Sequence, residues 1–432
     1  MWGDVDSNSF TSLLDQVYNE IVHWRRNIFP LPSGRSGKMF VSELSHLFNA
    51  YYPGSSLEGV ALKAAMCLPI LILQRPFSKS KSGDHVQCIE RRLKLWLRGD
   101  LGALLEEGHS IQHGLTCPHV SDDSGSVSFS FSKLMSQGKV CAALRLLSDH
   151  ENRFPLQLDK MIGSKSVREM LLDKHPHGRP LDPTAVVPPI SSAFDPHPVF
   201  FDCITGSLIC SIALHVDDAV GPSNLDAHDW RRICTSYRGA SDDICNALAS
   251  LARHLCTDYV DPAGLTAFTA CQLIALDKCP GVRPIGVGEV VRRIVGKAIL
   301  SVIGVEIQQS AGSLQLPAGQ PAGCEAAIHT LRYIFDDVTT QAALLVDASN
   351  AFNNLNRQLA LANIASLCPA FSRVLINTYH NDAKLFVGGE TILSQEGTTQ
   401  GDPLAMAMYA LALIPMITLL SNVVKQVSVV HR

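Results

Sequence analysis

AALLVDASNAF, residues 342–352, is an apolar run that ends in a single carboxylate, Asp347, followed by a polar turn and an aromatic residue, Phe352. The run 342–346 predicts a buried strand. A carboxylate at the end of such a strand costs free energy unless it is paired, and a divalent cation is a common partner. Asp347 could equally cap the turn that follows, as Asp often does. This segment by itself leaves both interpretations open.

Two other segments have features that complement this acid. Downstream, QGDPL (400–404) predicts a turn that leads into a helix, whose first N–H groups and positive partial charge suit phosphates. Upstream, LIALDKCPGVRPIGV (273–287) predicts a strand, a tight turn and a second strand, with Lys278 and Arg283 near the tip. An arginine in that place can grip phosphate oxygens bidentately. Along the chain, two cations therefore come first, then an acid at the end of a strand with an aromatic residue after it, and then a turn that leads into a helix.

Composition and charge narrow the class of protein. Of 432 residues, 46% are hydrophobic and 18% are charged, which is typical of a globular chain with a substantial core. The net charge of −4 excludes an overall basic field, so any binding of nucleic acid has to come from local patches. The stretch 75–98 is such a patch, rich in Arg and Lys with Trp96 among them. It fits either a solvated helix face or a phosphate-contacting surface.

Cysteine usage and the start of the chain predict an intracellular protein, cytoplasmic or nuclear and not secreted. The 13 cysteines follow no disulfide framework, and the polar, acidic start has no signal-peptide pattern. The apolar run 404–420 is short and contains a Pro, so we expect a buried core helix there and no transmembrane segment.

The pattern along the chain predicts an α+β protein in several parts. Residues 1–175 are mainly helical, and the Pro-rich stretch 176–198 is expected to be a linker. Helices and strands then alternate through 199–340 and 341–432.

The three chemistry-bearing segments resemble motifs of reverse transcriptases from non-LTR-type retroelements. KCPGVRPIG (278–286) is similar to the fingers motif, VDASNAF (346–352) to motif A, and QGDPL (400–404) to motif B. AVGPSNLDAHDW (219–230) resembles the Ala-Gly-Pro-Asp-Gly segment before the fingers, although Asn224 stands where the family has its last Gly. The resemblance implies a right-hand polymerase, with fingers in 199–340 and a partial palm in 341–432.

The resemblance also implies roles for individual residues. Asp347, helped by the backbone carbonyl of Ala348, would hold two Mg²⁺ ions, and Phe352 would be the steric gate that excludes a 2′-hydroxyl. The triphosphate would be neutralised by Lys278 and Arg283, and the nucleotide and template site would be lined by Gln400 and Gly401. The implied partners are an RNA template, a DNA primer and a dNTP, with no membrane and no inferable protein partner.

One expected part of this site is missing from the sequence. A two-metal site needs more than one carboxylate, and the family supplies the others from a Tyr-x-Asp-Asp turn that its spacing would put near Val427. No acidic residue follows Asp402. We therefore expect a reverse transcriptase truncated before that motif and inactive as it stands. The alternative is a non-catalytic nucleic-acid-binding remnant of a retroelement protein.

Other acids and metal-ligand types fit less well. His215-Val216-Asp217-Asp218 mimics the missing motif but precedes the hairpin, and Asp336 and Asp337 are expected at a helix end, where solvated acids are common. Four possible zinc ligands lie close together in the sequence, but their spacing fits no common zinc pattern: His109, His113, Cys117 and His119.

Overall fold

The structure is a computed structural model, and the residues it describes are 7–52, 54–55, 57–76, 81–115, 132–136, 156–188, 196–217, 219–278, 281–312, 315, 322–338 and 347–421. The α-helices up to residue 336 include α1 (Ser7–Ile21), α2 (Arg35–Asn49), α3 (Ala61–Ile72), α4 (Ser82–Leu97), α5 (Leu101–Gly114), α6 (Val167–Asp173), α7 (Gly206–His215), α8 (Ala227–Thr235), α9 (Gly239–Thr257), α10 (Pro262–Thr269), α11 (Val290–Ala311) and α12 (Gly323–Asp336). After the one-turn helix α13 (Ala351–Asn354) follow α14 (Arg357–Leu367), α15 (Pro369–Tyr379) and α16 (Ala405–Ser421). The strands are β1 (Met161–Ile162), β2 (Lys165–Ser166), β3 (Cys271–Asp277), β4 (Val282–Gly288), β5 (Ala383–Val387) and β6 (Glu390–Ser394). The expectation of an α+β fold is confirmed.

Helices build most of the core because several of them are apolar on more than one face. Every residue of α3 is buried, including Pro69 near its end. The 19-residue α9 packs against α2, α7 and α15, and thus links the first helices to the C-terminal half. One hydrophobic cluster runs from Leu14 to Leu411.

The main sheet has four strands in the order β4-β3-β5-β6. Strands β3 and β4 form the antiparallel hairpin predicted at 273–287, and β5 and β6 form a second hairpin. That second turn is Gly388-Gly389, where both residues have positive φ and glycine is favoured. The two hairpins join through parallel pairing of β3 with β5.

The two faces of this sheet pack against different parts of the chain. Phe386 of β5 contacts the rings of Tyr18 and His23, whereas its neighbours Leu385 and Val387 pack with Val167 and Leu171. This alternation follows from the pleat of a strand. The helices before residue 175 and the sheet therefore share buried surface on both sides.

The Pro-rich stretch follows the surface of α13 and α14 for part of its length. Arg179 donates to the carbonyl of Asn354, and the N–H of Val187 donates to Asn363 Oδ1 over 2.9 Å. The boundaries expected at 175 and 198 stay a prediction, and the structure adds that this stretch is hydrogen-bonded to the helices that follow Asp347.

Candidate active site

The β3–β4 hairpin carries its two cations at the expected place. Lys278 and Arg283 are both exposed at the tip, and neither forms an ion pair within the described ranges. The turn is closed by the N–H of Lys278, which donates to Gly281 O over 3.1 Å, and Gly281 has a φ of +112° that glycine accommodates. Both ammonium and guanidinium groups are free to reach an anion.

Strand β4 meets the 400–404 turn directly. The N–H of Gly286 donates to the carbonyl of Gln400 over 2.9 Å. A Cβ at Gly401, whose φ is +107°, would lie 2.6 Å from Gly286 O, and a Cβ at Gly286 would lie 2.4 Å from Thr399 Cγ2. Glycines at 286 and 401 are therefore what lets these two backbones touch.

The turn after Asp347 reaches the same segment from the other side. The N–H of Thr398 donates to Phe352 O over 2.7 Å, and that of Gly397 donates to Leu355 O over 2.8 Å. A Cβ on Gly397 would lie 1.9 Å from Phe352 O. Residues 397–401 thus lie between the hairpin and the turn at 352–355, so all three sequence segments come together.

Asp347 and Ala348 are exposed, and their predicted strand 342–346 lies outside the described residues. Phe352 is half-buried, and its ring packs on Tyr409 of α16 with centroids 4.9 Å apart. Burial raises the pKa of Tyr409, and the nearby negative charge of Asp347 raises it further. Tyr409 therefore joins the acid to the aromatic residue, a connection that the sequence motifs did not reveal.

Arg357 is a buried cation that holds the segment before Gln400 in shape. Its guanidinium donates to Gly397 O over 2.9 Å and to Ser394 O over 2.8 Å, and its backbone N–H donates to Glu396 Oε2 over 2.7 Å. Burial lowers its pKa below the usual value for arginine. Nothing on its polar end remains for a ligand, so its role is structural.

A second buried cation holds the 400–404 turn against the hairpin side. Arg292 of α11 pairs with Asp402 and donates to Thr269 O over 2.8 Å. Burial lowers the pKa of Arg292, but the Asp402 carboxylate together with smaller contributions from Tyr379 and Cys271 offsets this, so the pKa lies above its usual value. The ring of Tyr379 lies between Arg292 and Arg357 and contacts both guanidinium groups. Asp402 is therefore occupied within the protein.

The 219–224 segment is fixed to the end of β4. A Cβ at Gly221 would lie 2.6 Å from Gly288 O, and the Ser223 N–H and hydroxyl donate to Glu289 over 2.7 and 2.6 Å. Burial raises the pKa of Glu289 to about 7, although the Ser223 hydrogen bonds oppose this. Asn224 has a φ of +68°, so the residue that departs from the family's Gly is one that tolerates the left-handed region.

The residues around Asp347 do not fit a two-ion site. Among the described residues one group has metal-ligand geometry, formed by Asp226, His228 and Asp229. It lies at the start of α8, where Asp226 pairs with Arg26 over 2.9 Å. Within the described part of the chain Asp347 belongs to no group of three metal-ligand side chains, and a pair of Mg²⁺ ions needs more than one carboxylate.

The basic stretch 75–98 is not one continuous phosphate-contacting surface. Arg92 is 1% exposed, pairs with Glu107 and donates to two backbone carbonyls, while Trp96 is buried and donates to Glu43. Arg91 also pairs with Glu107. Arg91 is exposed, and so are Lys94 and Arg98, the residue at the C-terminal end of α4; the latter two form no ion pair among the described residues. The periodicity indicated a helix correctly but could not show which cations it buries.

The structure describes some of the other acids and metal-ligand residues that the sequence offered as alternatives. His215 ends α7 and its ring contacts Ser211 O, Asp217 is exposed, and Asp218 lies outside the described residues. Asp336 ends α12, as expected. In the zinc group, His109 pairs with Glu20, and Cys117 and His119 lie outside the described ranges.

Comparisons with known proteins add no family. No protein-family model matches the chain, and no curated protein matches it. Among the helices in the described ranges, none is both long enough and apolar enough to cross a membrane.

Proposed function

We propose that this chain carries the nucleotide side of a retroelement reverse transcriptase, an RNA-directed DNA polymerase. The observation that carries the proposal is the convergence of three separate segments on residues 397–401. Gly286 of the hairpin donates to Gln400 O, and Phe352 O, in the turn after Asp347, accepts from the Thr398 N–H. These are the segments that the resemblance assigns to the triphosphate, the sugar and the template.

The convergence gives each group a plausible chemical task. A strand rises about 3.3 Å per residue, so Arg283 lies roughly 10 Å along β4 from Gly286. Arg283 and Lys278 can therefore neutralise a triphosphate whose base and sugar lie near Gln400. The side-chain oxygen of Gln400 is buried without a hydrogen-bond partner among the described residues, which leaves an acceptor for a ligand donor.

Phe352 is suited to the sugar end of this site. Its ring is held by Tyr409 on one side and by the backbone bond from Thr398. A rigid ring leaves neither room nor a polar partner for an added 2′-hydroxyl. The arrangement favours a deoxynucleotide over a ribonucleotide.

The 432-residue chain is proposed to bind nucleotide without polymerising it. In the described residues Asp347 belongs to no group of three metal-ligand side chains, whereas a two-ion site needs several carboxylates. Residues Asp347 and Ala348 would hold Mg²⁺ in a complete site, and here they supply one carboxylate.

The proposal is tested by titrating the chain with a fluorescent dNTP. We expect saturable binding that weakens at least tenfold in the Lys278→Gln/Arg283→Gln double variant and stays within twofold in Arg98→Gln, an exposed arginine on α4. Equal affinities in both variants would count against the hairpin as a triphosphate site. In primer extension on an RNA template with Mg²⁺ we expect no product; synthesis that is lost in Asp347→Ala would mean that the missing carboxylates were misjudged.

The alternative, a non-catalytic nucleic-acid-binding remnant, is not favoured by a specific observation. Its basic helix has Arg92 buried and Arg91 paired. Salt-dependent RNA binding that depends on Lys94 and Arg98 but not on Lys278 and Arg283 would favour it.

A further inference from the structure

The N-terminus of α2 opens on a cavity that lies apart from the candidate active site. The cavity has a volume of about 350 Å³ and is lined by the loop before α2, its first turn, and the start of α4. Ligand pockets span about 300–1,000 Å³, so this one is of a size for a small group. The polar residues that matter for its chemistry are Ser33, Arg35, Ser36, Ser82 and Glu90.

The first turn of α2 has backbone donors that nothing in the described residues satisfies. Its N-cap is Gly34, which has no side chain to accept from them. The first bond within the helix comes from Lys38 N to Gly34 O over 3.1 Å. The N–H groups of Arg35 and Ser36 form no hydrogen bond among the described residues, and both residues line the cavity at the positive end of the helix dipole.

A second and independent observation is the hydroxyl of Ser36. Ser36 lines the cavity, is 2% exposed, and its Oγ has no hydrogen-bond partner among the described residues. A buried polar group without a partner costs free energy, and native structures leave few of them. An acceptor bound in the cavity would satisfy this donor together with the helix amides.

The loop that forms the cavity is held in place before any ligand arrives. The hydroxyl of Tyr237 donates to Pro32 O over 2.9 Å, on the chain just before the N-cap. A Cβ at Gly37 would lie 1.8 Å from that same oxygen and 2.8 Å from the Tyr237 ring. The close approach fixes the first turn of α2, so its donors need little reorganisation to bind an anion.

We propose that this cavity binds a phosphate group through the first turn of α2 and the Ser36 hydroxyl. Arg35 lines the cavity and is exposed, so its guanidinium can add a charge-assisted donor. Glu90 also lines the cavity and is half-buried; its carboxylate repels additional negative charge and can accept from a hydroxyl. The site therefore selects a single phosphate on a hydroxyl-bearing carrier over a triphosphate.

The sharpest test uses two substitutions at one position. Gly34 has extended backbone angles, and a Cβ there meets nothing within 4 Å, so both Gly34→Asp and Gly34→Ala can fold. In Gly34→Asp the new carboxylate caps the free amides and repels an anion. We expect calorimetric titration with inorganic phosphate and with AMP to show at least tenfold weaker binding in Gly34→Asp, and binding within twofold of the parent chain in Gly34→Ala. Equal binding in both variants would overturn the proposal.

Side-chain variants separate the contributions within the cavity. Ser36→Ala and Arg35→Gln are each expected to weaken AMP binding about three- to tenfold, whereas the matched controls Ser42→Ala and Arg98→Gln leave it within twofold. Glu90→Gln is expected to strengthen inorganic phosphate binding severalfold. The site would be refuted if Ser42→Ala and Arg98→Gln lost binding while Ser36→Ala and Arg35→Gln kept it. It would also be refuted if the parent chain bound neither inorganic phosphate nor AMP.

Two further arms identify the source of the phosphate and separate this site from the polymerase proposal. A short RNA with a 5′-phosphate should bind more tightly than its 5′-hydroxyl form if the natural carrier is a strand end, and that difference should vanish in Gly34→Asp. If AMP binds and the two RNAs do not differ, the carrier is a free nucleotide, and the phosphate site still stands. The two proposals can fail separately, because Gly34→Asp should leave dNTP binding at the β3–β4 hairpin within twofold of the parent chain; Gly34 lines this cavity and lies outside that hairpin.

Discussion

The turn at residues 400–404 and the turn after Asp347 differ in the environment of their aspartates. Asp402, in the turn before α16, is enclosed and paired with Arg292. Asp347, at the start of the turn before α13, is exposed, and the group that its charge reaches is the Tyr409 ring. The first turn is built to be rigid, and the second leaves its carboxylate available.

This difference separates an acid whose charge is paired inside the protein from one whose carboxylate is exposed. A buried ion pair fixes geometry, and its removal leaves an uncompensated charge. An exposed acid contributes little to stability, so its presence at the end of an apolar run needs another reason. We infer that residues 397–404 hold the region in shape, and we call them the scaffold. Asp347 and Phe352 are inferred to face the ligand, and we call them the working side.

The largest expected effect is on the scaffold, in Arg357→Met. The variant removes donors to Ser394 O and Gly397 O and leaves these carbonyls buried. We expect the free energy of unfolding to fall by about 3–5 kcal/mol, because each buried acceptor left without a donor costs about 1–3 kcal/mol; urea denaturation measures the loss. A loss below about 1 kcal/mol, the range of an exposed pair, would show that the segment does not depend on this cation.

Arg292→Met should be the next most damaging change, by about 3 kcal/mol, because Asp402 then keeps a buried charge without its partner. Adding Asp402→Asn should recover part of the loss, since the uncharged amide keeps the acceptor for the Leu404 N–H. A double-mutant cycle measured by urea denaturation checks this. Strictly additive losses would mean that the pair is not coupled.

Glu289 extends the comparison to pH. Its folded-state pKa is raised to about 7 by burial, so between about 4.5 and 7 the folded chain holds a proton that the unfolded chain has released. The resulting contribution to stability is therefore present at low pH and declines as pH rises through that window, by roughly 1–3 kcal/mol. Unfolding titrations across that pH range should show a flatter dependence in Glu289→Gln. Parallel curves for the two proteins would rule out Glu289 as the source.

The smallest expected effect is on the working side. Asp347→Ala should change the free energy of unfolding by less than about 0.5 kcal/mol, as is usual for an exposed position. Thermal and urea unfolding of the variant beside Asp402→Ala provide the contrast. A large loss at Asp347 would assign it to the scaffold and remove the distinction between the two turns.

The sequence predicted the parts of this region that depend on local chemistry. Apolar residues around a Pro-Gly turn predict the 273–287 hairpin, which β3 and β4 form. The apolar run 404–420 predicts a helix, and α16 forms there. The resemblance identified segments that the structure brings into contact.

What the sequence could not show is which charged groups are buried by tertiary packing. Arg92 and Arg357 look like solvated helix cations, because their burial depends on carbonyls and carboxylates far along the chain. The contact of Tyr409 with Phe352 joins residues 57 positions apart, and no spacing rule predicts it. Gly286 and Gly401 were a partial signal, since glycine often marks a close approach of two backbones.

The central claim is that Phe352, the hairpin and the 397–401 segment form one deoxynucleotide site. The most direct measurement is the ratio of affinities for a dNTP and the matching rNTP in the parent chain and in Phe352→Val, with Phe335→Val on exposed α12 as the control. We predict that the parent chain prefers the dNTP at least tenfold, that Phe352→Val brings the ratio near one, and that the control keeps the preference. An unchanged ratio in Phe352→Val, or a parent chain that binds neither nucleotide, would contradict the account.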